Sequence, residues 1–231
     1  MEKPAINSDK ILAFIGSSLA AGASIGLGGW IYSTLLNAGA LGALFGSLGF
    51  SLGIILVCVC GFFLYTGKIG TIARETCLGE KFAVSLPKRA ALLALMFVCN
   101  VAAAMLLGLL ASMVAPEQTR IAMQEIAAKK AEVMEPVVLW KSVVCGALVY
   151  AGVSLYNKFK GGLGVFLVAV CIAAFVLLGF DHCIANAFYF GTNFEGYRFG
   201  SFSKTVLLCA VGNSVGAIIS DFARRGLSLA R

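Results

Sequence analysis

The sequence predicts an all-α integral membrane protein with six transmembrane helices, and its composition and charge-free runs indicate this. Of its 231 residues, 60% are hydrophobic and only 13% are charged, whereas a soluble domain carries about 25% charged residues. No Asp, Glu, Lys or Arg occurs between Ile11 and Gly67, which is enough for two spans of about 20 residues each. Further charge-poor runs complete six predicted spans: 11–37, 40–66, 88–114, 136–157, 162–190 and 203–222.

The distribution of Lys and Arg predicts the orientation of these spans. If both termini lie on one side, that side holds twelve basic residues and the opposite side holds six. Because basic loops favour the cytoplasm, we expect both termini there. The net charge of +7 is then explained mostly by the topology of a chain embedded in membrane lipid. We expect no nucleic-acid partner, because basic residues nowhere cluster with aromatic residues in this sequence.

The two halves of the chain resemble each other in pattern. The second span ends FFLYTGKIG and the fifth ends GFDHCIANAF, so polar residues interrupt both. Thr66 and His182 are 116 residues apart, and Asn100 and Asn213 are 113 apart. With three spans per half, the second copy enters from the opposite side. This predicts one transmembrane domain, 1–231, built as an inverted 3+3 repeat of 11–114 and 136–222, with the second and fifth helices broken.

Matching interruptions in two halves are a sequence indication of a transport site. Their freed backbone groups must face protein or a cavity, because lipid cannot satisfy them. We therefore expect Thr66 to meet the Asp181–Asn186 stretch; the alternative is that both are ordinary span ends. His182, the only histidine, is a functional candidate at membrane depth and can switch near neutral pH. The alternative is a histidine that lies at the interface or is hydrogen-bonded to a neighbouring span.

Other candidate groups fall into three classes. Lys130 and Lys141 lie beside or at the start of the fourth span, where a positive potential would concentrate anions; the alternative is a solvated extracytoplasmic loop. The eight cysteines lack zinc-ligand spacing and are interpreted as buried thiols, so we expect no metal and no cofactor. Candidates for an apolar constriction that excludes water, or alternatively for packing, are Phe50, Ile54, Leu64, Tyr65 and Phe175.

Several segments resemble the formate/nitrite transporter family. FSLGIILVCVCGFFLYTGK is similar to that family's second span and Ω-loop, which ends LFTG or LFTS. GFDHCIANAF is similar to the family's G-[FY]-E-H-S-I-A-N-M, and TVLLCAVGNSVGA resembles its V-T-x-G-N-x-x-G-G. WKSVVCGALVYAGVSL resembles the family's fourth span. The resemblance covers nearly the whole chain in the right order.

The resemblance implies an aquaporin-like protomer in a homo-pentamer of the bacterial inner membrane, with one pore in each protomer. The implied substrate is a small monovalent weak-acid anion: formate first, with nitrite and hydrosulfide next. By motif, Thr66 is the Ω-loop threonine, His182 the central pore histidine, Asn213 the pore asparagine and Lys130 the family lysine. The five constriction candidates occupy matching positions. As supporting residues we expect Asp181, Asn186, Asn100 and Lys141.

This chain departs from the family pattern at four positions. Gly146 stands in place of Asn, Asp181 in place of Glu, Cys183 in place of Ser, and Tyr65 in place of Phe. The hypothesis is that Lys130 and helix N-termini attract the anion. The constriction then opposes a bare charge, and His182 supplies a proton or a hydrogen bond.

Two other function classes are weighed against this hypothesis. An aquaporin-type channel for neutral solutes would need paired Asn-Pro-Ala motifs, which are absent from a sequence with four prolines. A membrane redox subunit would use paired histidines for haem, and this sequence has one histidine. An enzyme is not expected, because HExxH and clustered carboxylates are missing.

Overall fold

The computed structural model describes residues 8–77, 85–193 and 199–229, and side-chain surroundings for all of these except 74–77, 199–201 and 226–229. Within these ranges every regular element is an α-helix. The helices are α1 (Ser8–Leu35), α2 (Gly42–Cys60), α3 (Tyr65–Cys77), α4 (Leu86–Val114), α5 (Glu117–Glu132), α6 (Glu135–Phe159), α7 (Gly161–Leu177), α8 (Cys183–Gly191) and α9 (Phe199–Leu229).

Five of the described helices are long and apolar enough to cross a membrane: α1, α2, α4, α6 and the Phe202–Arg225 part of α9. α7 is apolar but has only 17 residues. The prediction of an all-helical, multi-pass membrane protein is therefore confirmed. The predicted second span, 40–66, corresponds to α2 and only the first residues of α3, and the predicted fifth span, 162–190, covers α7 and most of α8.

Glycines in the left-handed conformation end both α2 and α7. Gly61 has a φ of 71° and Gly179 a φ of 68°, a backbone shape that residues with a Cβ rarely adopt. After each glycine the next N–H bonds back five residues, from Phe62 to the Val57 carbonyl and from Phe180 to the Phe175 carbonyl, both at 3.0 Å. This arrangement stops a helix and satisfies its last carbonyls.

Helix contacts follow the same scheme in both halves of the chain. α1 packs against α2 and α4, and α6 packs against α7 and α9. Each short helix packs mainly on a long helix of the other half: α3 on α9 and α8 on α4. α2 and α7 contact each other between the halves. Each half therefore supplies the main packing surface for the short helix of the other half.

Two helix pairs approach so closely that glycine is required at the crossing. A Cβ built on Gly22 of α1 would lie 2.2 Å from the carbonyl oxygen of Asn100 in α4. A Cβ on Gly146 of α6 would lie 2.1 Å from the carbonyl oxygen of Asn213 in α9. Gly146 thus brings the α6 and α9 backbones into direct contact.

α5 occupies the segment before the fourth predicted span, for which an extracytoplasmic loop was the alternative expectation. The helix begins after Pro116, has Glu117 in its first turn and Lys129 and Lys130 in its last turn, and so matches the helix dipole. It packs against α1, α8 and α9. Its buried face has helical spacing and consists of Thr119, Ala122, Met123 and Ala127. This packing brings Lys130 close to Asp181 at the start of α8.

The helix crossing at Gly146 predicts the effect of adding one methyl group. We expect Gly146→Ala to destabilise the protein by about 1–3 kcal/mol, as overpacking typically does, because the new Cβ would meet backbone and cannot be relieved by a side-chain rotation. Thermal unfolding in detergent would measure the loss. Gly16→Ala in α1 is the matched control, since nothing lies within 4 Å of a Cβ there. Equal midpoints for the two variants would contradict the tight crossing.

Candidate functional site

Thr66 and His182 join the two helix interruptions in the protein interior. Thr66 lies in the first turn of α3, and His182 immediately precedes α8. The threonine Oγ1 and the histidine Nε2 are 2.9 Å apart, and the two residues are 1% and 2% exposed. The structure thus brings Thr66 and the Asp181–Asn186 stretch into direct contact.

The other nitrogen of His182 determines which atoms carry protons. Nδ1 accepts a hydrogen bond of 3.3 Å from the N–H of Ala185, and so caps the N-terminus of α8. A nitrogen that accepts a bond from an amide carries no proton of its own. The neutral ring therefore has its proton on Nε2 and donates it to Thr66 Oγ1. Protonation of Nδ1 would break the cap.

Asn213 of α9 holds the chain on both sides of His182. Its Oδ1 accepts a 2.9 Å bond from the Cys183 N–H, the first residue of α8. Its Nδ2 donates to the carbonyls of Asp181 and Ser142, each at 2.8 Å. The asparagine is completely buried, and both amide hydrogens bond protein groups. In this structure its amide fixes the backbone around the histidine.

Asn100 of α4 makes the equivalent set of bonds at the first break. Its Oδ1 accepts a 2.9 Å bond from the Tyr65 N–H, the first residue of α3. Its Nδ2 donates to the carbonyls of Phe63 at 3.0 Å and Ser18 at 2.6 Å. Each asparagine therefore bonds the start of a short helix, the residue two positions earlier, and a serine carbonyl of the glycine-bearing helix beside it. We call these two sets of bonds the asparagine clamps.

A charged pair lies next to His182 on the α5 side. Lys130 Nζ lies 2.7 Å from Asp181 Oδ1, with side chains that are 17% and 4% exposed. Asn186 Nδ2 donates to the same carboxylate oxygen at 3.1 Å. Lys130 is therefore ion-paired and not a lone cation. Lys141 is half-buried in α6 and makes neither a hydrogen bond nor an ion pair with any described residue.

Four of the five constriction candidates are buried: Phe50, Ile54, Leu64 and Phe175. The rings of Phe50 and Phe175 meet edge to face with centroids 5.7 Å apart. Phe175 also stacks on the His182 ring at 6.0 Å. Aromatic and aliphatic side chains thus adjoin the polar Thr66–His182 pair.

Tyr65, the fifth constriction candidate, has a different environment. Its ring packs edge to face on Phe97 of α4 with centroids 5.1 Å apart. Its hydroxyl lies 2.9 Å from the Ser214 hydroxyl of α9. The hydroxyl that distinguishes this chain from the family pattern therefore ties α3 to α9.

Sequence reasoning missed Lys68. This lysine lines a cavity of about 460 Å³ between the C-terminal ends of α2 and α6 and the start of α3. The available signal was its place two residues after Thr66 in LYTGKIG. It was counted only among the charges that set the orientation of the spans.

Comparison with known proteins gives a family and a fold. The family described as formate/nitrite transporter matches residues 3–222. The nitrite transporters NirC of Salmonella typhimurium and Escherichia coli are each 24% identical to this chain, over 93% of it and 82% of their own length. A solved FNT family ion channel superposes with a TM-score of 0.84 at 22% identity, over 97% of this chain and 92% of its own. A pentameric formate channel with formate bound superposes with a TM-score of 0.75 at 19% identity, over 96% of this chain and 98% of its own.

The asparagine clamps predict that an isosteric change will be severe. In Asn213→Asp, a carboxylate replaces the amide that donates to two buried carbonyls, so we expect a loss of at least about 2 kcal/mol of stability. Asn100→Asp should have a similar effect, because the bonds are equivalent. Folded yield and the thermal unfolding midpoint would measure both.

Asn37→Asp is the control for the clamp variants. Asn37 is exposed and donates one 3.2 Å bond to the Gln118 carbonyl, so its loss should change stability little. If Asn213→Asp unfolded at the same temperature as Asn37→Asp, the Asn213 clamp would not stabilise the backbone at the start of α8.

Proposed function

Because the chain belongs to the formate/nitrite transporter family, we propose that it passes a small monovalent weak-acid anion across the membrane. Formate is the first candidate, with nitrite and hydrosulfide next. The observation that carries the proposal is the buried Thr66–His182 pair at 2.9 Å, where the two helix breaks meet. Relatives named nitrite transporters and a solved formate channel support the substrate class.

The proposed architecture is one transmembrane domain with an aquaporin-like inverted repeat of residues 11–114 and 136–222. Three features support it: the matching helix contacts of the two halves, the left-handed glycines that end α2 and α7, and the paired asparagine clamps. In this arrangement α2–α3 and α7–α8 are the two broken membrane helices, and transport takes place where they meet.

Anions approach His182 from the α5 side past Lys130. The bond to Asp181 compensates most of the lysine charge, yet an ammonium has three hydrogens and only one is used by that bond. The N-terminal ends of α3 and α8 both lie at the site, so their dipoles direct positive potential toward it. Lys130 thus positions Asp181 and still presents donors to an entering anion.

Apolar side chains next to His182 restrict passage of a bare charge. Phe50 and Phe175 would remove the water shell of an ion, and desolvation of a full charge is very costly. The compensation comes from the donors of Thr66 and His182. A weak acid has the further advantage that a proton can cancel its charge for the crossing.

His182 acts differently in its two protonation states. The neutral ring caps α8 through Nδ1 and donates its Nε2–H to Thr66, which leaves the hydroxyl hydrogen of Thr66 to bond the anion. A proton on Nδ1 breaks the bond to Ala185 and gives the ring a positive charge, which offsets the charge of the anion. A lower pH favours this charged ring, so we expect anion flux to rise as the pH falls.

The proposed location is the bacterial inner membrane, with both termini in the cytoplasm and five protomers in each assembly. The twelve basic residues on the side of the termini support the orientation. The solved pentameric formate channel supports the assembly, because the structural similarity to it covers 96% of this chain.

Replacing the histidine tests its protonation directly. His182→Asn keeps a good helix cap, since asparagine oxygen can accept the Ala185 N–H, but removes the titrating group. We expect formate and nitrite flux in proteoliposomes, corrected for protein-free vesicles, to fall at least about tenfold at pH 6. The pH dependence of the remaining flux should be weaker than that of the wild-type protein, because only the substrate then titrates. An unchanged pH profile would contradict the role of His182.

Thr66 offers a second test with a matched pair of substitutions. Thr66→Ser keeps the hydroxyl that bonds Nε2, and Thr66→Val keeps the shape but leaves the buried Nε2–H without its acceptor. We expect Thr66→Ser to retain most of the flux and Thr66→Val to lose about tenfold or more. Similar flux in both variants would show that the hydroxyl does not contribute.

A further inference from the structure

Asp221 is a buried acidic residue in α9, within the stretch that is apolar enough to cross a membrane. The hydroxyl of Tyr150 in α6 donates a hydrogen bond to its Oδ1. Arg224, about one turn further along α9, donates from Nε to the Tyr150 hydroxyl oxygen at 3.2 Å, and its guanidinium lies 3.6 Å from Asp221 Oδ1. We call these three residues the tyrosine anchor. An ionisable residue buried within a membrane helix is a functional candidate, and the proposed transport site does not include this one.

The tyrosine anchor lies on the same face of α9 as the Asn213 clamp. Asn213, Ala217 and Asp221 follow one another at intervals of four residues, which places them on one side of the helix, and all three are completely buried. Opposite them, α6 presents Gly146 to the Asn213 backbone and Tyr150 to Asp221. The anchor therefore extends the close contact of α6 and α9 by two turns beyond the clamp.

The Tyr150 ring and the Ala217 carbonyl form the surface on which α3 packs. A Cβ built on Gly70 of α3 would lie 2.8 Å from the Ala217 oxygen and 3.2 Å from Tyr150 Cδ2. Gly70 comes four residues after Thr66, so the two residues lie on the same side of α3. The position of the Tyr150 ring therefore determines how closely α3 approaches α9, and with it where the Thr66 hydroxyl lies.

The other short helix, α8, packs on its long neighbours in a different way. There the large side chain belongs to the short helix: the buried Phe188 ring would lie 3.1 Å from a Cβ on Gly26 of α1, and the Phe188 carbonyl oxygen 2.1 Å from a Cβ on Gly108 of α4. At α3 the short helix supplies the glycine, Gly70, and the long helix α6 supplies the ring of Tyr150. The α3 contact therefore depends on the polar bonds that hold this ring in place.

We propose that Asp221 and Tyr150 are positioning residues for the Thr66–His182 pair. The carboxylate fixes the Tyr150 hydroxyl, the fixed ring sets the distance of α3 from α9, and α3 carries Thr66 Oγ1 to 2.9 Å from His182 Nε2. A shift of α3 by less than about 1 Å would break this bond, because hydrogen bonds do not persist much beyond about 3.5 Å. The consequence for transport rests on the proposed function, whereas the geometry can be measured without any flux.

His182 reports this geometry itself, because it is the only histidine of the chain. In full-length protein purified with a histidine-free tag, isotopically labelled histidine gives the NMR signals of a single ring. The experiment follows the exchange of the Nε2 hydrogen with solvent. This hydrogen is protected while it is donated to Thr66, so a faster exchange reports loss of that bond.

Tyr150→Phe removes the hydroxyl of the anchor and keeps the ring. We expect the Nε2 hydrogen to exchange at least about tenfold faster, since a lost hydrogen bond corresponds to a change of about that size. Asp221→Asn should keep a rate near that of the wild-type protein, because its amide oxygen can still accept the Tyr150 hydroxyl. Gly70→Ala should also speed the exchange, because the new methyl group displaces α3 from Ala217 and Tyr150.

Tyr156→Phe is the matched control for Tyr150→Phe. It makes the same chemical change six residues further along α6, where the half-buried ring packs against Gly164 of α7. Its exchange rate should equal that of the wild-type protein. Equal rates for Tyr150→Phe and Tyr156→Phe, or an unchanged rate in Gly70→Ala, would overturn the inference.

Flux measurements separate this inference from the proposed function. In proteoliposomes, Tyr150→Phe should lower formate or nitrite flux by about three- to tenfold. In a Thr66→Val background the same substitution should cause little further loss, because its effect is transmitted through Thr66. A fully additive loss would show that Tyr150 acts elsewhere and would overturn the inference. Wild-type protein without anion flux would refute the proposed function, while the exchange rates would still decide the positioning.

Discussion

The asparagine clamps are the constraint on which the rest of this structure depends. The start of a helix and the residues just before it carry N–H and carbonyl groups that need partners where they are buried. Asn100 and Asn213 satisfy these groups at the starts of α3 and α8, each with one acceptor oxygen and two donor hydrogens. The amide is well suited to this task, because it offers both kinds of bond without introducing a charge.

The clamps in turn require glycine. An asparagine amide reaches the serine carbonyl of the adjacent helix only if the two helices lie in backbone contact, and Gly22 and Gly146 permit this. With the short helices fixed, Thr66 and His182 face each other at hydrogen-bond distance. Asp181 is held by the same clamp through its carbonyl and by Lys130 through its carboxylate. The close helix packing, the hydrogen bonds that satisfy the buried backbone and the geometry of the site therefore depend on one another.

Much of this arrangement could be predicted from the sequence, because long apolar runs indicate membrane spans and isolated polar residues within them indicate functional positions. Five of the six predicted spans correspond to long apolar helices, and the matched positions of Thr66 and His182 indicated their contact. Three details did not follow. The helical fold of α5 depends on tertiary packing of Ala122 and Met123, the orientation of Tyr65 toward Ser214 depends on where α9 lies, and the exposure of Lys68 depends on a cavity between three helices. The last two depend on where distant helices lie and are not encoded in local periodicity.

We propose that the protein passes small weak-acid anions and excludes neutral solutes. The most direct measurement is flux of formate, nitrite, hydrosulfide and glycerol in one preparation of proteoliposomes, each corrected for protein-free vesicles. The account predicts protein-dependent flux of at least one of the three anions, and glycerol flux no faster than in empty vesicles. Fast glycerol flux without anion flux would contradict it and would indicate a neutral-solute channel built on the same helices.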